Sequence, residues 1–384
     1  MPDRRTELTE ISTALGMLGH KDLDRALDLP RGTSPRAGSA GGRPPVLNVP
    51  PDLWERLAVS VSDPRHRSLA EEAFANGAAF LAAPDGLRDR LPRRIEWKGP
   101  HHPPGYDLLP ADLRVDHVYL VSCKYRSQVL MNSSPAHLFD RALQVRGTET
   151  GQDWFAQVAP EPYEALYAAV RRLVGSLLPA RRTELTSADR RRIQEACGRR
   201  WPPEVAPAYA AFSAAVARAS ARRWAAAVPT KRQRELLLWR MLRLSDSPYF
   251  LLGTTSGAGR PLRVRVGTPW DWRQDFILAD LQIFVRPGPL LQPRVEWAAG
   301  VRDRRASTEA TVAGHVEVRW SHGRFSGVPE AKLYLDTPHE EVPGYYPLDA
   351  TPTGTSGLAT SRDRPPGPDA RTVPLRLFDD PRAR

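Results

Sequence analysis

Cysteine is almost absent from this chain of 384 residues: Cys123 and Cys197 are the only two. Two cysteines make no disulfide framework, and neither a CxxC pair nor a Cys/His zinc spacing occurs. That excludes a stapled secreted scaffold and a zinc ribbon. Long apolar runs are missing too. No window approaches a span of about 18 apolar residues, and the opening MPDRRTELTE has no apolar h-region. No membrane contact or signal peptide is expected, and the chain reads as cytoplasmic. Lysine is the third scarcity. Lys21, Lys98, Lys124, Lys231 and Lys332 are the only lysines among 55 cationic residues. The abundance of Arg, Ala and Pro is the bias of a GC-rich genome. A lysine standing against that bias suggests a need for a compact ammonium with a movable pKa, which a guanidinium cannot supply.

Proline is plentiful, at 38 residues, while the hydrophobic fraction is 41%. The combination predicts folded domains joined by Pro-rich loops and tails. A net charge of +11 points to a polyanion partner, although arginine bias accounts for part of it.

Residues 4–29 can hold a short helix or two. They precede RGTSPRAGSAGGRPP (31–45), and residues 1–45 together are expected to be a flexible N-terminal segment. Asp63-Pro64 opens a helix over 63–83, RRIEWKG (93–99) reads as a short strand, HVYLVSCKYR (117–126) as a clear one, and SPAHLFDRAL (134–143) as a helix. Residues 46–158 are therefore expected to form an α/β domain. An arginine-rich helical segment should follow over 159–247, with apolar stripes opened by Pro, Ser or Thr. From Pro248 the period switches to two, which predicts a β-rich module over 248–347. The tail at 348–384 is expected to be disordered. The fold class is α+β.

The stretch DLRVDHVYLVSCKYRS (112–127) drives an apolar strand straight into a lysine. Residues i and i+2 share a strand face, so Ser122 and Lys124 point together and Val118 and Leu120 continue that face inward. Asp112 lies upstream, where a turn can bring its carboxylate beside the Lys124 ammonium. Glu71 and Glu72 lie on the preceding helix.

This order of a helical Glu, a strand, an Asp, and a strand ending in x-x-Lys before a helix resembles the PD-(D/E)xK nuclease superfamily over residues 68–143. The resemblance implies a restriction-endonuclease-like core and a metal-dependent nuclease, with DNA the expected substrate and restriction or phage defence a fitting setting. It implies Asp112 as first acid, Ser122 at the second-acid position and Lys124 as the lysine serving water or the transition state. Mg²⁺ (or Mn²⁺) is the implied cofactor, because hard cations take carboxylate oxygens. Serine is not a carboxylate, so the metal needs Asp112 together with Glu72, Glu96 or Asp116. Asp107 and Asp116 compete with Asp112 for the first role. The alternative is a non-catalytic nucleic-acid-binding or scaffold subunit that keeps this fold and meets a protein partner through its C-terminal β module.

Arg190, Arg191, Arg192, Arg199 and Arg200 are the candidate phosphate contacts on the helices, against the plainer reading of a solvated face. LLGTTSGAGRP (251–261) lacks the GK[ST] of a phosphate loop and reads as a hairpin turn. His315, His322 and the Asp336, His339, Glu340, Glu341 cluster offer a weaker metal set, as do His101 and His102. The C-terminal aromatics, Trp270, Trp272, Trp297, Trp320, Tyr334, Tyr345 and Tyr346, are expected to be core or interface more than base-stacking platforms.

Overall fold

The computed structural model describes residues 4–28, 46–99, 111–143, 153–175, 177–255, 259–288 and 291–348. The linker at 31–45, the tail beyond Leu348, and His101, His102 and Asp107 lie outside the described residues.

Among the described residues, helices and strands combine in an α+β fold with two sheets. The first sheet runs in the order β1 (Val46–Leu47), β2 (Ile95–Trp97), β3 (Leu113–Val115), β4 (Tyr119–Tyr125), β6 (Tyr249–Thr254), β7 (Pro261–Val266) and β12 (Tyr345–Pro347). Strands β2, β3 and β4 form an antiparallel meander, and β4 then pairs in parallel with β6. The second sheet is antiparallel throughout, in the order β5 (Val129–Ser133), β11 (Pro329–Leu335), β10 (Glu309–Trp320), β9 (Arg294–Asp303) and β8 (Phe276–Phe284).

The β-rich stretch at 248–347 is thus divided between the two sheets, where the sequence suggested one module. Strand β6 is buried at all six positions. Tyr249 and Leu251 enter one hydrophobic core and Phe250 and Leu252 the other. A strand apolar on both faces needs cover on both, so β6 takes a central place beside β4. Strand β5 crosses the other way and pairs with β11.

The middle helices follow the sequence pattern closely: α7 (Pro160–Val174), α8 (Ser187–Cys197), α9 (Ala206–Ala227) and α10 (Lys231–Met241). Thr186 and Thr230 each make a capping box at the start of α8 and α10. One core joins these helices to the second sheet and to one face of the first.

Residues 4–28 hold the short helices expected of them, but not as a flexible segment. They form α1 (Arg4–Gly16) and α2 (Leu23–Leu27) and belong to the second core, with Leu8, Ile11 and Leu15 at most 1% exposed. Helix α1 lies against α4 (Pro64–Ala82) at backbone contact. A Cβ added at Gly77 would sit 2.0 Å from the Thr13 carbonyl oxygen, and one at Gly16 would sit 2.0 Å from that of Phe74. Polar residues of α1 are buried as well, and satisfy themselves locally. The Thr9 hydroxyl donates to the Arg5 carbonyl and the Thr13 hydroxyl to that of Thr9. Self-satisfied threonines let the helix be covered on more than one side.

Candidate active site at the step between β3 and β4

Strand β4 outruns β3. The ladder of the meander reaches Leu113 opposite Val121, while β4 continues along β6 as far as Tyr125. Asp112 stands at this step. Its N–H donates to the Val121 carbonyl at 2.8 Å. Its Oδ2 accepts the Cys123 N–H at 2.6 Å and the Ser122 hydroxyl at 3.2 Å. A carboxylate completes the ladder where the strand stops, and is thereby fixed against the open edge of β4.

Lys124 lies two residues beyond Ser122, opposite Gly253 in the register. A Cβ at Gly253 would fall 1.7 Å from the Lys124 carbonyl oxygen, so glycine is required for this approach. The Gly253 carbonyl accepts from Asn76 Nδ2 at 2.7 Å, and Arg263 Nε donates to Asn76 Oδ1 at 2.9 Å. The backbone beneath the lysine is therefore braced from α4 and β7. Lys124 itself is half-buried and makes no ion pair among the described residues. Burial lowers its pKa below the ordinary lysine value, with nearby Asp112 opposing and Arg243 adding to the effect.

A third ionisable group comes from α1. Glu10 is only 8% exposed and accepts the Trp97 indole N–H at 2.6 Å. Burial pushes its pKa up to about 8; the Asp112 charge works in the same direction, while Trp97 and Lys124 oppose. Glu10, Asp112 and Lys124 line one cleft of about 570 Å³, with Arg5, Arg126 and Tyr334 around it. Burial raises the Cys123 thiol pKa well above the ordinary value, which disfavours the thiolate.

The other expected acids are held elsewhere. Glu72 accepts from Arg126 at 3.1 Å, and Glu71 accepts from Arg67 at 2.9 Å. Glu96 is bonded by Arg114 and lies 3.7 Å from His117; the Arg114 hydrogen bond leads in holding its pKa low. Asp116 is a turn residue. Its Oδ1 accepts the N–H groups of Arg93 and Arg94 at 2.8 and 3.0 Å, and both Asp116 and His117 have positive φ. Val118, at the tip of that turn, is 73% exposed, so the inward face of β4 begins at Leu120. None of Glu72, Glu96 or Asp116 lines the cleft. Among the described residues no group of three or more His, Cys, Asp or Glu side chains can hold a metal ion.

The expected set of Asp112, Glu72 and Glu96 is therefore not assembled. The cleft offers the pair Asp112 and Glu10, with the buried Ser122 hydroxyl donating to Asp112 from behind. Mg²⁺ is commonly held by one or two carboxylates, with waters and substrate oxygens completing its shell. A buried acid kept protonated partly by a second acid is a donor pair that a cation would relieve, so these residues fit such an ion. Sequence reasoning missed Glu10 because no motif marks it. The available signal was Leu8, Ile11 and Leu15 at i, i+3 and i+7, a helix face that brings its neighbours into the core.

The five arginines divide. Arg190 donates to the Phe325 carbonyl at 2.8 Å, and Arg192 pairs with Asp189 at 3.0 Å. Arg191, Arg199 and Arg200 are exposed. The C-terminal histidines form no metal group: His315 bonds Asp336 at 2.8 Å and stacks on Tyr334, while Glu340 pairs with Arg260. Trp272 and Trp297 are fully buried, whereas Trp270 stands 73% exposed. Among the described residues no helix is long and apolar enough to cross a membrane. No family model, curated protein or solved structure matches the chain.

Proposed function

We propose that the chain is a divalent-metal-dependent phosphodiesterase acting on nucleic acid, with DNA the expected substrate and a restriction-endonuclease-like core around the β3–β4 step. The observation that carries this reading is the convergence of Asp112, Glu10 and Lys124 in one cleft at the open edge of β4. Asp112 and Glu10 would hold the cation, which when bound polarises the phosphoryl group and activates water.

The remaining chemistry belongs to the chain. The Cys123 N–H and the Ser122 hydroxyl orient Asp112. Ser122 thus buttresses an acid where the nuclease pattern places a second one. Lys124, desolvated and without an ion pair among the described residues, offsets the charge that develops on the phosphoryl oxygens in the transition state. Arg126 at the cleft, held by Glu72, adds a second cation toward the flanking phosphates.

A second reading is favoured by one observation: among the described residues no third acid joins Asp112 and Glu10 in the cleft. It is a non-catalytic nucleic-acid-binding or scaffold subunit. The two readings separate in one experiment. Purified protein and Lys124→Ala are incubated with supercoiled plasmid and linear DNA in Mg²⁺, Mn²⁺ and EDTA. Metal-dependent cutting that the substitution abolishes is expected. Binding without cutting in any metal would leave the scaffold reading.

A further inference from the structure

Helix α8 stops at Gly198, whose positive φ closes the helix as its N–H bonds the Gln194 carbonyl. Arg199 and Arg200 consequently leave the helix axis, and Trp201 folds back to stack on Tyr209 of α9 at 4.7 Å. Arg324 covers Trp201 at 4.1 Å and donates to the Gly198 carbonyl at 2.7 Å. With Arg319 these residues line a pocket of about 920 Å³ that has no acidic residue in its lining. Arg319 is paired with Glu330. Arg199 and Arg200 are exposed and have no carboxylate partner among the described residues.

We infer that this pocket is a binding site for single-stranded nucleic acid, separate from the cleft at Lys124. Arg199 and Arg200 take the phosphates. The Arg324 guanidinium, backed by Trp201, is the plane on which a base stacks, as arginine planes do in single-strand recognition. Cations alone would attract an acidic peptide as well, but the aromatic and apolar floor of Tyr209, Ala206 and Trp320 calls for a ligand with a planar body. Trp201 itself is sandwiched, so it anchors the plane and does not face the ligand.

The placement ties the pocket to the cleft. Tyr334 of the cleft lies opposite His315, and Arg319 of the pocket follows four residues later on the same face of β10. That is about 13 Å along the strand, within reach of one substrate strand. The inference rests on the nucleic-acid reading of the cleft, and its test is independent of cutting.

The test measures fluorescence anisotropy of a labelled ten-nucleotide oligo(dT) in EDTA, with Trp emission as a second signal. Wild type, Arg199→Ala/Arg200→Ala and Arg232→Ala are compared, with unchanged thermal melts required of each. The double variant is expected to bind about tenfold or more weakly. Its salt slope should fall by about 0.7 per lost phosphate contact. Arg232→Ala, on an exposed arginine outside the pocket, should bind as wild type. Equal loss in Arg232→Ala would reduce the effect to general charge and overturn the site. No binding by wild type would overturn it as well, and displacement by inorganic phosphate as readily as by unlabelled oligo(dT) would overturn the base plane. Wild-type cutting with undiminished binding by the double variant would sink the pocket and leave the nuclease. Weakened binding without cutting in any metal would do the reverse.

Discussion

Around Lys124 charges of both signs are drawn out of water, whereas around Trp201 charges of one sign remain in it. The cleft holds a raised carboxyl at Glu10 and a lowered ammonium at Lys124, each shifted chiefly by burial. The pocket holds exposed arginines at 199 and 200 on an aromatic floor. Desolvated groups of opposite sign cost folding free energy and serve chemistry, because their protonation responds to a ligand. Exposed guanidiniums cost little and serve attraction. The protein places these two kinds of site on different parts of the fold, and substitutions should separate them.

The largest separation is expected from Lys124→Ala. It should lower the cutting rate by roughly 10²-fold or more while oligonucleotide affinity stays within about threefold, which corresponds to about 0.7 kcal/mol. A parallel loss of affinity and rate would merge the two sites into one.

Next in size is the pH dependence of stability. Glu10 titrates near 8 when folded, against an ordinary value of 4.5. A raised folded pKa means that stability is fully present below 4.5 and is lost as pH rises through about 8. In EDTA, urea unfolding should show lower stability at pH 8.5 than at 5.5, on the order of a few kcal/mol for this group. Glu10→Gln should flatten the difference. An unchanged pH profile in that variant would place the carboxyl in water.

A smaller effect tests how α1 delivers Glu10. Gly77→Ala puts a methyl where the Thr13 carbonyl lies, and should cost about 1–3 kcal/mol by overpacking, read by thermal unfolding. Cutting should fall with it and oligonucleotide binding should not. Smallest is Arg190→Ala. This arginine, one of the five expected at phosphates, is bonded to the Phe325 carbonyl. Its loss should cost about 1 kcal/mol of stability and leave the salt slope of binding unchanged.

The same contrast bears on what the sequence made legible. The middle helices could be read because each has a cap residue and an apolar stripe, as Thr186 and Thr230 show. Asp112, Ser122 and Lys124 could be related because strand parity and one turn suffice to bring them together. Glu10 could not, since its place depends on a helix contact set by Gly16 and Gly77 across 61 residues of chain. Glu72 and Glu96 carry the right chemistry, and only the three-dimensional structure shows that neither lines the cleft, Glu72 pairing with Arg126 behind its wall and Glu96 with Arg114. The division of 248–347 between two sheets was equally hidden. Periodicity reports that β6 is a strand, while its choice of β4 as neighbour is a long-range pairing.

The central claim is that the acid partner of Asp112 is Glu10, brought by α1, and not Glu96 on the sheet. Single-turnover cutting by Glu10→Gln and Glu96→Gln in saturating Mg²⁺ tests it most directly. A rate loss of roughly 10²-fold or more is expected for Glu10→Gln, and a rate within about threefold of wild type for Glu96→Gln, whose carboxylate is bonded to Arg114 outside the cleft. Full activity in Glu10→Gln together with loss in Glu96→Gln would contradict it.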